Sequence, residues 1–173
     1  MNPHNEFNAS WGKSLKVMTG LSTLILIGIP VIGTFTGPHD SLLWILGMIV
    51  TPLSMLFIAS LFSIRGYVLT SDALLIRRLG WNSRVELNGL QSAEVDADAM
   101  SKSIRTFGNG GMFCFAGAFN NNRLGSYRAF ATNPKRSVVL RFEDRTVVVT
   151  PDQPGEFVMR INQICGKSVK PTG

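Results

Sequence analysis

No charged residue interrupts the chain between Asp40 and Arg65, and the stretch between them is apolar almost throughout. A helix over Ser41–Ile64, rising about 1.5 Å per residue, would be roughly 36 Å long, against about 30 Å for the hydrocarbon core of a bilayer. The run predicts a membrane-spanning helix. It passes with almost no linker into Arg65-Gly66-Tyr67-Val68-Leu69-Thr70, whose pattern reads as the first strand of a folded domain. A domain joined in this way is held against the bilayer surface.

An earlier apolar run covers Val17 to Thr36 and contains Gly20, Gly28, Pro30 and Gly33. Such residues are tolerated in membrane helices, where neighbouring helices repair the freed backbone groups. Gly33 and Gly37 have small-xxx-small spacing, but at the end of a span the first reading is a helix passing into a turn. The connection Thr36-Gly37-Pro38-His39-Asp40 is short, so the spans 17–36 and 41–64 form an antiparallel hairpin. Trp44 and Tyr67, near the two ends of the second span, are placed as interface anchors, and Pro52 predicts a kink. Lys13 and Lys16 precede the hairpin and Arg65, Arg77 and Arg78 follow it, while the loop between the spans has no Lys or Arg. The excess of basic flanks predicts an inner-membrane, multi-pass protein with both termini cytoplasmic. Met1–Ser10 reads as a mobile polar tail.

Only 16% of residues are charged, against about a quarter in ordinary globular chains, because the first third is so apolar. The formal net charge of +6 belongs to the part after the hairpin. Beside a membrane span, a basic balance points to anionic lipid before nucleic acid. Cys114 and Cys165 fall in no metal-ligand pattern and read as separate reduced thiols; His4 and His39 have no partner at ligand spacing. No catalytic constellation, metal site or cofactor motif emerges. Gly108-Asn109-Gly110-Gly111 leads into the apolar Met112-Phe113-Cys114-Phe115, without the Lys-Ser/Thr or GxGxxG context that phosphate-binding loops need. Glu94, Asp96 and Asp98 alternate along one predicted strand and read as a solvated edge.

From residue 66 the chain changes to about seven short strand-like runs with turn punctuation. Val138, Leu140 and Phe142 share one face, so the pair Ser137–Phe142 and Thr146–Thr150 predicts a half-buried antiparallel ladder around Glu143-Asp144-Arg145. Asp152 and Pro154 then open a helix whose apolar stripe runs through Phe157, Val158, Ile161, Ile164 and Cys165. The expected class is α+β, mainly β: a transmembrane hairpin (1–65), a bent sheet or open barrel capped by a C-terminal helix (66–165), and a flexible tail (166–173).

The order of these signals resembles the bacterial pleckstrin-homology-like (PH-like) domain families, in particular small membrane proteins whose domain directly follows a transmembrane hairpin. The resemblance is carried by the opening from Gly66 to Arg78, by Phe107 to Phe113, by Leu124-Gly125-Ser126-Tyr127, and by Val147 to Phe157. It implies a PH-like barrel with a C-terminal helix and no catalytic residues.

Two candidate surfaces follow. Arg77, Arg78 and Arg84 surround the turn at Trp81, joined further on by Lys135 and Arg136. Basic side chains there can hold an anionic lipid headgroup by charge-assisted hydrogen bonds. The blander reading is a generally basic face, which gains about 1 kcal/mol per residue beside anionic lipid. Phe113, Phe115 and Phe119 stand in a glycine-rich stretch without charge between Arg105 and Arg123. Phe113 and Phe115 share parity, so one strand would send both to the core or to an apolar contact surface. The function these signals favour is a non-enzymatic, membrane-anchored interaction domain that meets a protein (self or partner) or lipid at the cytoplasmic face. The alternative is an accessory subunit of a larger membrane or envelope complex, with the domain as a structural collar.

Overall fold

The computed structural model describes residues 5–38 and 40–166. His4, His39 and the expected C-terminal tail from residue 167 lie outside the described residues. Strand β1 (Glu6–Asn8) precedes helix α1 (Lys13–Thr36); helix α2 (Leu42–Leu61) runs into strand β2 (Ile64–Leu69). The remaining strands are β3 (Ala73–Arg78), β4 (Asn82–Glu86), β5 (Leu90–Val95), β6 (Ile104–Gly110), β7 (Phe115–Asn121), β8 (Gly125–Ala131), β9 (Val138–Phe142) and β10 (Thr146–Val149). Helix α3 (Pro154–Ile164) closes the described chain.

Among the described residues the architecture is mainly β, with ten strands in two sheets ordered β1-β2-β3-β4 and β5-β9-β10-β8-β7-β6. All pairs are antiparallel except β8 with β10. The main core lies between the sheets. Tyr67, Leu69, Leu74 and Ile76 meet Val138, Leu140, Val147 and Val149, and Phe157 and Ile161 of α3 pack into the same cluster. A second cluster, Ala99, Phe119, Tyr127, Ala129, Val139 and Val148, covers the opposite face of the larger sheet. The β9–β10 ladder is therefore buried on both faces, where the sequence pattern predicts one.

Three strands go beyond the sequence reading. β1 falls in the supposed tail, yet Phe7 is buried against Phe157 with ring centroids 5.1 Å apart. Its register with β2 is Glu6↔Val68, Phe7↔Tyr67 and Asn8↔Gly66. β6 and β7 form a hairpin within the glycine-rich segment. Gly108 and Gly117 face each other there with φ of +99° and +144°, and a Cβ on either would collide with the opposing backbone.

Helices α1 and α2 are each long and apolar enough to cross a membrane. Leu21, Leu24, Ile32 and Phe35 of α1 and Leu43, Phe57 and Ile58 of α2 are exposed. The small residues at the end of α1 serve close contact rather than only a fraying end. A Cβ at Gly33 would sit 3.1 Å from Met48, the Trp44 ring lies on Gly37, and Trp44 Nε1 donates to the Gly33 carbonyl at 3.4 Å. A wider π turn over Leu46–Val50 directly precedes Pro52, which has no N–H for the helical ladder.

Tyr67 corrects the anchor reading. Its side chain is fully buried, and its hydroxyl donates to the Phe130 carbonyl (2.6 Å) while accepting from Thr150 N (3.1 Å). Asp152, expected as the cap of α3, instead accepts from Ser10 N (3.0 Å) and Ser10 Oγ (2.6 Å); Gln153 is the residue before the helix and makes no side-chain cap.

Leu140 is fully buried in the main core, so Leu140→Ala is expected to lower unfolding stability by about 2–5 kcal/mol in a denaturant titration. Burial pushes the Tyr67 hydroxyl up to about 12 from 10.0, opposed by the Thr150 hydrogen bonds. A proton held more tightly in the folded state contributes stability that is complete below pH 10.0 and lost as pH rises toward about 12. The melting temperature should fall across that window, and Tyr67→Phe should flatten the fall while lowering stability at neutral pH.

Candidate functional site

The candidate surface is built where the helices meet the domain. Gly12 N donates to the Thr132 carbonyl (3.0 Å), and one turn of helix later Leu15 is fully buried. Thr19 makes the next contact. Its hydroxyl donates to the Gly111 carbonyl (3.2 Å) and accepts from Phe113 N (2.9 Å). The loop it holds is strained: Phe113 has φ +66°, a left-handed conformation rare for bulky residues. Asn109 closes the loop from below, its Oδ1 accepting from Met112 N (3.0 Å) and its Nδ2 donating to the Met112 carbonyl (2.6 Å).

On the other side, Arg78 of β3 reaches the end of α2. Its Nη1 donates to the Phe62 carbonyl (3.2 Å) and its Nε to Ser83 Oγ (3.0 Å). Its guanidinium lies 5.6 Å from the Trp81 ring and 5.5 Å from the Phe130 ring. Arg128 of β8 stands over the same Phe130 ring at 5.7 Å. Burial lowers the proton affinity of Arg78, and the charge of Arg128 acts in the same direction. Neither arginine makes a salt bridge with a carboxylate among the described residues. Cys114 lies within electrostatic reach of Arg78, and burial pushes its thiol up to about 11.

The five basic residues singled out from the sequence do not converge on one site. Arg77 pairs with Glu6 (3.1 Å), Arg84 with Asp72, and Arg136 with Asp152 (2.7 Å). Lys135 is exposed on the turn Pro134–Arg136, next to Asn133, which abuts Gly12 at the start of α1. Arg78 alone of the five sits among aromatics. Arg128, which completes the uncompensated pair, carries no local signal in the sequence; the packing of the two sheets brings both arginines to the Phe130 ring.

The phenylalanines also separate. Phe113 lies in the loop, edge-on to Trp11 at 5.9 Å, while Phe115 begins β7, so the two share no strand. Phe119 is buried and stacks on Tyr127 at 6.0 Å, and Phe115 packs half-buried beside that cluster. Phe107 is the exposed one, at 79%. Of the acidic alternation, Glu94 pairs with Arg141 (3.2 Å) and Asp96 with Arg123 (3.0 Å). Among the described residues no group of His, Cys, Asp and Glu is arranged to hold a metal ion.

The family described as bacterial PH domain matches residues 65–164 of the chain. Neither a curated protein nor a solved structure matches it.

Replacing Thr19 by valine keeps the shape of the side chain but leaves the Gly111 carbonyl and Phe113 N without their partner. The expected cost is about 1–3 kcal/mol. Amide exchange at Met112 and Phe113 should accelerate, while exchange in β9 and β10 stays unchanged.

Proposed function

Because the chain belongs to the bacterial PH domain family, and PH domains are interaction modules rather than catalysts, we propose that it is a membrane-anchored interaction module working at the cytoplasmic face of the inner membrane. The observation that carries this reading is the attachment of the hairpin. β1 leads into it, β2 leads out of it, and these two strands pair directly. The apolar helices cannot swing away from the domain, so the faces nearest the helix ends are presented at the bilayer surface.

The charge distribution supports the orientation. Lys13 and Lys16 lie on the first turns of α1, and Arg65 and Arg78 lie beside the end of α2. Among the described residues none of the four forms a salt bridge, whereas Arg84, Arg123, Arg136 and Arg141 are each matched to a carboxylate. Uncompensated cations at the helix ends suit the cytoplasmic side of a membrane and its anionic lipids. A partner held in the same membrane meets the module at a raised effective concentration, so a weak contact suffices.

A reporter active only outside the cytoplasm, fused at residue 39, is expected to be active, and one fused at residue 173 inactive. Activity from the C-terminal fusion overturns the orientation. Release of the protein from membranes by alkaline carbonate overturns the anchoring.

A further inference from the structure

A groove of about 530 Å³ opens between α1 and the β6–β7 hairpin, within the usual range for small-ligand sites. Met18 and Ser22 of α1 form one wall; Met100, Met112 and Phe115 form the other, with Arg105 among the lining residues. It exists only because α1 docks on the domain through Leu15 and Thr19. We propose that this groove holds one anionic phospholipid taken from the surrounding leaflet, with an acyl chain along the methionines and the phosphate on Arg105. The proposal rests on the membrane-anchored reading given above.

The first argument is continuity. The α1 wall at Met18 and Ser22 continues into Leu21 and Ile25, which are exposed at 59% and 53%. A chain leaving the groove at Met18 meets these apolar side chains next along the helix. The second is complementarity. The lining holds no acidic residue, and Arg105 has no carboxylate partner among the described residues. Its Nη1 donates to the Gly108 carbonyl at 3.1 Å, and its head lies over Gly110, where a Cβ would meet Nη1 at 3.1 Å. The guanidinium is thus seated in place with further donors free for a phosphate. The third is lining chemistry: unbranched, polarizable methionines adapt to chains of varied length and unsaturation.

The test uses the full chain reconstituted in nanodiscs of mixed phosphatidylglycerol and phosphatidylcholine, then taken into detergent and weighed by native mass spectrometry. One phosphatidylglycerol per chain is expected to survive washing. Arg105→Gln should reduce its retention roughly tenfold and remove the preference over phosphatidylcholine. Gly110→Ala should act in the same direction by displacing the guanidinium, and Met100→Trp should exclude both lipids. Equal retention in wild type and Arg105→Gln means loosely associated lipid and overturns the proposal, as does the absence of retained lipid. If Met100→Trp does not fold, the Arg105→Gln comparison decides alone. Carbonate extraction of the cell membranes from which the full chain is purified separates the two readings: a carbonate-resistant protein that keeps no lipid sinks this proposal and leaves the anchored module standing.

Discussion

Everything else in the structure depends on the pairing of β1 with β2. The helical hairpin is an insertion between two neighbouring strands, and neighbouring strands stand about 4.8 Å apart. Gly66 lets them approach: a Cβ there would lie 2.6 Å from the Phe7 carbonyl. Side chains from three directions then hold β1 in place. Arg77 binds Glu6, Arg160 Nε donates to Asn5 Oδ1 (2.8 Å), and Asp152 receives both donors of Ser10. Phe7 itself fills the main core against Phe157. The segment before the hairpin is therefore part of the domain, and the two apolar helices enter and leave through its sheet rather than through a tether.

This constraint explains how charges are used. Arginines such as Arg77, Arg84, Arg136 and Arg141 fasten strands and turns, each against one carboxylate. Exposed pairs of this kind contribute little to stability, on the order of 0–1 kcal/mol, but they neutralise the surface they occupy. Among the described residues Lys13, Lys16, Arg65, Arg78 and Arg128 make no salt bridge, and the first four stand at the ends of the helices. For Arg78 the aromatic rings of Phe62, Trp81 and Phe130 take the place of a carboxylate. An aromatic partner holds the guanidinium without cancelling its charge, so the field it projects remains available to an anion.

What the sequence made legible was whatever had a period. The two apolar runs, the alternation of Val138, Leu140 and Phe142, and the stripe from Phe157 to Ile164 each announce an element because one face must be buried. β1 is three residues long and has no period to detect. β6 and β7 are hidden by glycine: Gly108 and Gly117 give no side-chain alternation, and they are there because the two backbones approach too closely for a Cβ. Tyr67 is ambiguous in sequence, since an aromatic with a polar tip suits a membrane interface and a buried hydrogen-bond node equally well. Only the proximity of Phe130 and Thr150, 63 and 83 residues away, decides it. The Arg78–Arg128 pair and the Thr19 contact are likewise products of tertiary pairing, and no local pattern foretells them.

The Thr19 contact gives the proposed lipid groove a consequence beyond binding. Thr19 lies between Met18 and Ser22 on the same face of α1, and it holds Gly111 and Phe113 in the loop that forms the opposite wall. A molecule in the groove bears on both walls, so it stabilises the docked arrangement of helix and loop over any looser one. By reciprocity, whatever loosens that docking must weaken the molecule's binding by the same factor. The strained backbone at Phe113 makes the docked loop depend on its partners, since φ +66° persists only while Thr19 and Trp11 hold it. Occupancy of the groove and the conformation of the β6–β7 loop are in this way one equilibrium, and the strand pair β1–β2, which fixes where α1 begins, sets its reference point.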